Sequence, residues 1–313
     1  MASDAPMSEP LLERDSSEIS ELLTSALPHH PVTEWRLRRE LFRHPGFDPE
    51  LARVTRGAEG RIDSLAAAVT LPEKEGRRQA QFMVMATRQG LRRRGLAGAL
   101  YAELETTLRR RGVQDIVLAN GVVPSGLDLR YPAAATMLLR RRYVPVSVHC
   151  DQTLDPEASV PADGPVPEGL RVRLLTRDDA SALAVFCDRE FPTWRWTPNM
   201  IEAGPACGVF GAFDRTTGRI GAFAGYAEYV FGPTGTARTH RRRGLGTAVF
   251  WPAVRALRKA MPDVPILIGN ANFMYYARAF GCHVRGAVWN MRKDLTADPA
   301  VSKGRSVPAS GDL

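Results

Sequence analysis

A short stretch rich in glycine and arginine has the clearest chemistry in this sequence. It is Arg241–Gly246 (RRRGLG), which follows an apolar strand end at Val230 and Phe231 and precedes an amphipathic helix. Gly244 and Gly246 have no Cβ, so backbone N–H groups there can approach a bound group closely. The first turn of a helix also has unpaired N–H groups and partial positive charge. The stretch therefore predicts an anion-binding turn, best suited to a phosphate or diphosphate.

The same pattern occurs a second time, 149 residues earlier and without a gap. Arg92–Gly95 aligns with Arg241–Gly244, and Thr87 aligns with Thr236. Further aligned pairs are Phe82 with Phe231, Leu96 with Leu245, Ala99 with Ala248, Leu108 with Leu257, and Leu118 with Leu267. Found once, the pattern is weak evidence, since an ordinary strand-to-helix turn looks similar. A strand–turn–helix repeated in register indicates two copies of one domain.

The doubled turn resembles the acetyl-CoA-binding motif of the GNAT-type N-acetyltransferases, Q/R-x-x-G-x-G/A between strand 4 and helix 3. The resemblance covers about residues 45–155 and 169–295. It implies an α/β (α+β) fold with two GNAT-like domains, each a mixed, mostly antiparallel sheet flanked by helices on both faces. In the family, strands 4 and 5 splay apart to admit the pantetheine arm, and the turn holds the diphosphate. Dinucleotide-binding and Walker-type folds fit less well, because G-x-G-x-x-G after a first strand and G-x-x-x-x-G-K-[ST] are lacking.

The resemblance implies that acetyl-CoA is the cofactor and assigns two sets of residues to it. In the second copy these are Thr234, Gly235, Thr236, Arg241, Arg242, Arg243, Gly244, Leu245, Gly246, Thr247, Asn270 and Asn272. In the first copy they are Arg92, Arg93, Arg94, Gly95, Ala97 and Gly98. Asn270 and Asn272 follow strand 5 and are assigned to the pantetheine amides, although Asn272 fits a helix N-cap equally well.

Acetyl transfer from a thioester to an amine needs a deprotonated amine, a stabilised oxyanion and a proton for the departing thiolate. In many family members a Tyr just before the Gly that ends helix 4 supplies the proton, and Tyr276 has that place in FMYYARAFG. An unperturbed phenol of pKa about 10 suits a thiolate of pKa about 8.5 or higher. The alternatives are a half-buried structural aromatic at Tyr276 and Tyr275 as the donor. Glu228, at the start of strand 4, is either a general base or a surface carboxylate.

The first copy departs from the family pattern in its helix 4. Leu138 stands where the Tyr is expected, and Arg142 stands where the Gly is expected. Because leucine cannot donate a proton, the first copy is expected to be degenerate, with CoA binding as its remaining role.

The resemblance predicts direct acetyl transfer to a primary amine of a small-molecule or peptide acceptor. Phe191, Trp194 and Trp196 fall where the family forms its acceptor pocket, and core packing is their alternative interpretation. No motif identifies the acceptor. The alternative function is a catalytically inactive acyl-CoA-binding or scaffolding protein, which Leu138 and the helix-interior Pro252 favour.

Length and composition leave room for two domains of ordinary size. The 313 residues are 44% hydrophobic and 24% charged, and no apolar run of membrane-spanning length occurs. The N-terminus is polar and acidic, unlike a signal peptide, so a cytoplasmic protein without membrane contact is expected. The cysteines form no C-x-x-C pair, which predicts buried free thiols at Cys150, Cys187, Cys207 and Cys282. The histidines lack metal-ligand spacing, so no metal is predicted.

The net charge of +8 is concentrated in arginine triplets at 92–94, 109–111, 140–142 and 241–243. Nucleic-acid binding is one interpretation of such clusters. Two triplets lie in the anion turns, where a polyanionic nucleotide cofactor accounts for them, and the other two are expected to cap helix C-termini. With no aromatic RNA-binding strand or recognition-helix pattern, nucleic acid is disfavoured as a partner. A homodimer is left open.

Hydrophobic periodicity predicts the elements around these motifs. The predicted domains are 13–155 (degenerate GNAT-like), 156–168 (linker), 169–295 (catalytic GNAT) and 296–313 (tail). Helices are predicted at 15–27, 33–42, 96–110, 132–141, 178–190 and 272–280, with one more after Gly246. Strands are predicted at 51–55, 62–69, 79–86, 116–119, 143–154, 170–175, 209–213, 219–226, 265–268 and 284–295. Residues 1–12 are predicted to be disordered, the charged stretch 71–78 is predicted to be a loop, and Pro252 is predicted to kink its helix.

Overall fold

The computed structural model describes residues 8–119, 121–123, 126–161, 166–204, 206–269 and 273–297. They divide into two compact units. The N-terminal unit contains the chain up to Val148 and again from Val288 on, and the C-terminal unit is His149–Ala287.

The first half of the chain supplies most of the N-terminal unit. The strands in this half of the chain are β1 (Ser8–Pro10), β2 (Ala52–Arg56), β3 (Ile62–Lys74), β4 (Arg77–Thr87), β5 (Asp115–Leu118), β6 (Leu127–Asp128) and β7 (Val144–Leu154). Its helices are α1 (Ser16–Ala26), α2 (Glu34–Leu37, continued by a π-helix at Arg38–Phe42), α3 (Leu96–Arg110) and α4 (Pro132–Arg140). Helices α1 and α2 pack on one face of the sheet, and α3 and α4 pack on the other.

The second half of the chain repeats this order. Its strands are β8 (Leu170–Leu174), β9 (Cys207–Asp214), β10 (Ile220–Ala227), β11 (Val230–Thr236), β12 (Ile266–Ile268) and β13 (His283–Asp294). Its helices are α5 (Ala180–Glu190), α6 (Leu245–Ala260) and α7 (Phe273–Phe280). Helices α6 and α7 cover one face of the sheet. On the opposite face, Phe186 of α5 meets Phe223 of β10 edge to face.

Each unit contains a mixed sheet with the same pairing pattern. The order is β1-β2-β3-β4-β5-β13 in the N-terminal unit and β8-β9-β10-β11-β12-β7 in the C-terminal unit. Only β4 with β5 and β11 with β12 run parallel among these neighbours. The predicted fold class, two mostly antiparallel sheets with helices on both faces, is confirmed.

The last strand of each sequence copy pairs with strand 5 of the other copy. In the N-terminal unit β13 pairs with β5, with Met291 opposite Leu118. In the C-terminal unit β7 pairs with β12, with Leu154 opposite Ile266. The compact units and the sequence copies therefore differ in the strand that closes each sheet, so the boundaries 13–155 and 169–295 remain a prediction from the repeat.

Two stretches predicted to be irregular are ordered. Ser8–Pro10 forms β1, and Arg53 on β2 donates a 2.8 Å hydrogen bond to the Ser8 carbonyl. The charged stretch 71–78 is a hairpin, in which Glu75 (φ 54°) and Gly76 (φ 71°) form the two-residue turn between β3 and β4. Both central residues have positive φ, which matches the twist of paired strands. The hairpin was not predicted because its end is solvent-exposed and polar, which is also the composition of a loop.

A buried carboxylate at the start of β5 joins three strands of the N-terminal unit. The Asp115 side chain is inaccessible to solvent and accepts hydrogen bonds from Arg77 on β4 (2.9 Å) and Arg292 on β13 (2.9 Å). Burial alone would raise the pKa of Asp115, but the two guanidiniums lower it. The carboxylate is therefore fixed in its charged form.

Replacing Asp115 by alanine is expected to lower the free energy of unfolding by about 2–3 kcal/mol, because two arginines lose a buried partner. Asp294→Ala is the matched control. Its carboxylate also pairs with Arg77, at 3.3 Å, but is 43% exposed, and we expect a loss below about 1 kcal/mol. Urea unfolding of both variants measures the difference. Equal losses would contradict the structural role of Asp115.

Candidate functional site

The two glycine- and arginine-rich turns have the same backbone conformation. Gly95 (φ 84°) and Gly244 (φ 78°) are left-handed residues immediately before α3 and α6. The central arginines, Arg93 (φ 66°) and Arg242 (φ 61°), are also left-handed. A 3₁₀ turn precedes each motif at the same spacing. The sequence repeat is therefore a structural repeat.

The first arginine of each triplet ties the turn to the strand before it. Arg92 Nε donates to the Thr87 carbonyl at 3.3 Å, and Arg241 Nε donates to the Thr236 carbonyl at 3.5 Å. All three arginines of each triplet are exposed. The tied arginines hold the strand end, and the exposed guanidiniums add positive charge around each turn.

The first turn of α6 supplies the backbone donors of the C-terminal site. The first intrahelical bond runs from the Ala248 N–H to the Gly244 carbonyl at 3.0 Å. The N–H groups of Leu245, Gly246 and Thr247 precede it and stand at the positive end of the helix dipole. The buried Leu245 side chain anchors this turn in the core. This geometry fits a bound diphosphate.

The N-terminal unit repeats this first turn in α3. There the Ala99 N–H bonds the Gly95 carbonyl at 2.9 Å. The N–H groups before it belong to Leu96, Ala97 and Gly98. The predicted anion sites of the two copies thus have equivalent backbones.

The parallel strands next to each turn separate early. Among the described residues of the C-terminal unit, which leave out 270–272, β11 and β12 pair at Val230 with Leu267 and at Phe231 with Ile268, although β11 continues to Thr236. In the N-terminal unit, β4 and β5 pair from Gln79 to Gln81, although β4 continues to Thr87. Each unit therefore has an extended strand edge leading to its anion turn. Such an edge can pair with the amides of an extended ligand.

A cavity of about 90 Å³ lies where β4 and β5 separate in the N-terminal unit. Its walls include Phe82, Val84 and Leu138, with Asp128 as a polar member. Burial would raise the pKa of Asp128, but hydrogen bonds from His30 (3.0 Å) and from Arg130 lower it. Because this charge is compensated and the other walls are mostly apolar, the cavity suits a small apolar group. Sequence patterns gave no signal of it.

Tyr276 lies in the aromatic core between α7, α6 and β11. Its ring centroid is 6.0 Å from Phe231, the last residue of β11 that pairs with β12, and 5.9 Å from Phe250. The side chain is 6% exposed, and burial raises the pKa of Tyr276 well above that of a free phenol. The assumption of an unperturbed phenol is therefore wrong. Burial thus favours the protonated form of this phenol.

Tyr275, the alternative donor, points to a different place. It is 40% exposed, and its hydroxyl hydrogen-bonds the side chain of Thr247 in the first turn of α6. Burial raises the pKa of Tyr275, and the bond to Thr247 lowers it by less. The two adjacent tyrosines thus have separate surroundings, one at the strand separation and one at the anion turn.

Glu228 is buried, with 3% of its surface exposed, so its interpretation as a surface carboxylate is wrong. It lies with Tyr229 in the two-residue turn between β10 and β11 and has a positive φ of 56°. Its N–H donates to the Ala206 carbonyl at 2.7 Å. Glu228 lies three residues before Phe231, and β11 and β12 begin to separate after Phe231. Thr236 and the anion turn lie at the other end of β11.

The helices that follow strand 5 in the two copies, α4 and α7, bury different side chains. Leu138 is the buried residue of α4 and lies four residues before Arg142, whereas Tyr276 is buried in α7 and lies five residues before Gly281. Arg142 adopts a positive φ of 65° after α4, and Gly281 adopts 72° after α7. Arg142 therefore occupies the left-handed position that glycine occupies in the second copy. The N-terminal unit has no hydroxyl at the position of Leu138.

Aromatic side chains cover the face of β11 beside the anion turn. Phe191 stacks on Trp194 at 5.3 Å and meets Phe223 edge to face at 5.9 Å. A Cβ on Gly235 would lie 2.5 Å from the Phe191 ring, so glycine is required there. Phe191 and Trp194 are half-buried in this layer, whereas Trp196 is 46% exposed.

Other sequence predictions have mixed outcomes. The Thr234 hydroxyl donates to the Phe223 carbonyl at 2.9 Å, which ties β11 to β10. Asn270 and Asn272 lie outside the described residues. Cys187, Cys207 and Cys282 are buried free thiols as predicted, but Cys150 is exposed. In the described part of the chain, α6 continues through Pro252, no cluster of metal-ligating residues occurs, and no helix has the length and apolarity to cross a membrane.

Solved structures of low sequence identity share this architecture. A tandem GNAT protein from the clavulanic acid biosynthesis pathway superposes with a TM-score of 0.65 at 18% identity, covering 93% of this chain and 98% of that one. Saccharomyces cerevisiae N-myristoyltransferase with bound myristoyl-CoA gives a TM-score of 0.61 at 13% identity, covering 93% and 80%. The GCN5-related glucosamine N-acetyltransferase region of a fungal multi-domain GH3 β-N-acetylglucosaminidase gives 0.65 at 14% identity. That match covers 94% of this chain, which spans only 38% of the fungal one.

The sequence itself matches no protein-family model and no curated protein. The structural matches therefore describe the fold. Together with the repeated turn, they show that this chain has the fold of a tandem GNAT-type acetyltransferase.

Proposed function

We propose that this chain is an acetyl-CoA-dependent N-acetyltransferase that acts on a primary amine. The observation that carries the proposal is the anion turn before α6, which lies at the end of a strand edge opened by the early separation of β11 from β12. The turn fits a diphosphate and the open edge fits a pantetheine arm. Acetyl-CoA bound there supplies an activated thioester.

The residues of the C-terminal unit have separate roles in this proposal. The N–H groups of Leu245, Gly246 and Thr247 bind the diphosphate, and the exposed Arg242 and Arg243 add attraction for the cofactor's phosphates. The edge of β11 orients the pantetheine amides. Tyr276, at the strand separation, donates a hydrogen bond to the sulfur and stabilises its developing negative charge.

Fewer residues can be assigned to binding the acceptor amine than to binding the cofactor. Glu228 is our candidate for accepting the amine proton, directly or through water, because it is a buried carboxylate near the strand separation. Half-buried Phe191 and Trp194 are candidates for the wall that faces the acceptor. A small-molecule or peptide amine, a cytoplasmic location and a possible homodimer remain predictions from the sequence.

For the N-terminal unit we propose cofactor binding without turnover. Its anion turn and strand separation repeat those of the C-terminal unit, but Leu138 lacks the hydroxyl that Tyr276 provides. The second candidate function, an inactive acyl-CoA-binding protein, rests on this observation and would extend it to the whole chain.

Acetyl-CoA is expected to raise the melting temperature of the full chain by mass action. At about 100 times the dissociation constant, one site adds about 2.7 kcal/mol of stability. The measurement is a thermal melt at increasing acetyl-CoA, followed by thiol release with a panel of primary amines. No stabilisation at millimolar ligand would overturn the proposal. Stabilisation without thiol release for any amine would favour the inactive binder.

A further inference from the structure

Two hydroxyl groups from other elements lie close to the backbone of Gly246 in the C-terminal unit. A Cβ built on Gly246 would lie 2.8 Å from the Tyr275 hydroxyl oxygen and 3.7 Å from Thr236 Oγ1. Tyr275 also hydrogen-bonds the Thr247 side chain. Thr236 ends β11, Thr247 belongs to the first turn of α6, and Tyr275 reaches the same point from α7. A larger residue at position 246 would displace the Tyr275 hydroxyl from this place.

Tyr275 connects α7 to the first turn of α6. In chain order, α6 follows β11 and α7 follows β12. The Tyr275 ring packs edge-on against Tyr276 at 5.0 Å and Phe280 at 5.4 Å. Its base is thus anchored in the aromatic core, while 40% of the side chain is exposed. The hydroxyl is thus held against the first turn of α6 by a side chain that is partly open to solvent.

The N-terminal unit has a donor of another kind at the equivalent turn. Arg141, directly after α4, donates from Nη2 to the Gly98 carbonyl at 2.8 Å. Its guanidinium lies over the Tyr101 ring, with Cζ 4.3 Å from the centroid. Gly98 is the counterpart of Thr247 in the repeat. In each copy, the fourth-helix segment therefore places a hydrogen-bond donor against the first turn of the preceding long helix.

We propose that Tyr275 is a cofactor-binding residue whose hydroxyl leaves Thr247 and donates to the diphosphate of the acyl-CoA bound at the first turn of α6. This inference rests on the proposed function. A phosphate oxygen is charged, and a hydrogen bond from the phenol to it is stronger than a bond between the neutral hydroxyls of Tyr275 and Thr247, so the exchange of partners is favourable. The phenol joins the N–H groups of Gly246 and Thr247 on one ligand group. Tyr275 thereby recognises the nucleotide half of the cofactor, whereas Tyr276 acts at the sulfur.

The test compares Tyr275→Phe with wild type on two thioesters, acetyl-CoA and S-acetylpantetheine, which lacks the diphosphate. Thiol release with the best amine of a panel gives KM and kcat. We expect KM for acetyl-CoA to rise about tenfold, as for a lost hydrogen bond to a charged group. With S-acetylpantetheine, kcat/KM should change less than about twofold. An unchanged KM for acetyl-CoA, or an equal loss with both thioesters, would overturn the inference.

Two controls separate this inference from the proposed function. Tyr276→Phe should lower kcat with both thioesters, whereas Tyr275→Phe should raise KM for acetyl-CoA alone. If wild type releases no thiol with any amine, the enzyme proposal fails while the Tyr275 inference stays testable. The calorimetric dissociation constant for CoA itself should then rise about tenfold in Tyr275→Phe, and an unchanged value would overturn the inference.

Discussion

Replacing Tyr276 by phenylalanine is expected to lower kcat for acetyl transfer about 100-fold, in the range found for a positioned hydrogen-bond or proton donor. The KM for acetyl-CoA should stay within about twofold, because the phenol contributes to the reacting state and not to ground-state binding. The ring stays in place against Phe231 and Phe250, so the aromatic core keeps its packing. Steady-state thiol release measures both constants.

The burial of Tyr276 also determines how kcat should depend on pH. Burial raises the pKa of Tyr276, so the phenol remains protonated throughout the range in which amines become deprotonated. Ionisation of Tyr276 should therefore not lower kcat at any pH below about 10. An unchanged kcat in Tyr276→Phe would remove this residue from the mechanism. It would also favour the interpretation of Tyr276 as a structural aromatic.

Local and repeated patterns in the sequence predicted most of the scaffold. Helices were predicted to follow both glycine- and arginine-rich turns, because such a turn depends on a few neighbouring residues, and α3 and α6 lie there. The comparison of two copies strengthened a motif that is weak when it occurs once. The defect at Leu138 was also visible in the sequence, since it needed only the position of α4 relative to its strand.

Features that depend on distant parts of the chain were not predictable in this way. The alternating pattern of β7 and β13 identifies them as strands, but it does not specify which strand 5 each one joins. The pKa of Tyr276 depends on rings from β11 and α6, and the burial of Glu228 depends on the turn that holds it. The approach of Tyr275 to Gly246 likewise joins two helices that are separate in sequence. Each of these requires tertiary packing.

An aspartate placed in either anion turn is expected to eliminate the corresponding cofactor site. Gly246→Asp puts a carboxylate beside the diphosphate position in the C-terminal unit, and Ala97→Asp does so at the equivalent place in the N-terminal unit. Two like charges about 4 Å apart near a protein surface repel by about 4 kcal/mol, so affinity should fall at least about 100-fold. Calorimetry with CoA should give two sites in wild type and one in each variant.

The design separates ligand repulsion from damage to the fold. A negative charge in the first turn of a helix interacts favourably with the helix dipole, so both variants should remain folded. Gly246 has no positive φ, and the atom nearest to an added Cβ is the end of the Tyr275 side chain, which can move. Gly246→Asn and Ala97→Asn are the neutral controls and should lose much less affinity than the aspartates. Two remaining sites in Ala97→Asp would show that the N-terminal turn does not bind CoA, and the same result in Gly246→Asp would exclude the turn before α6.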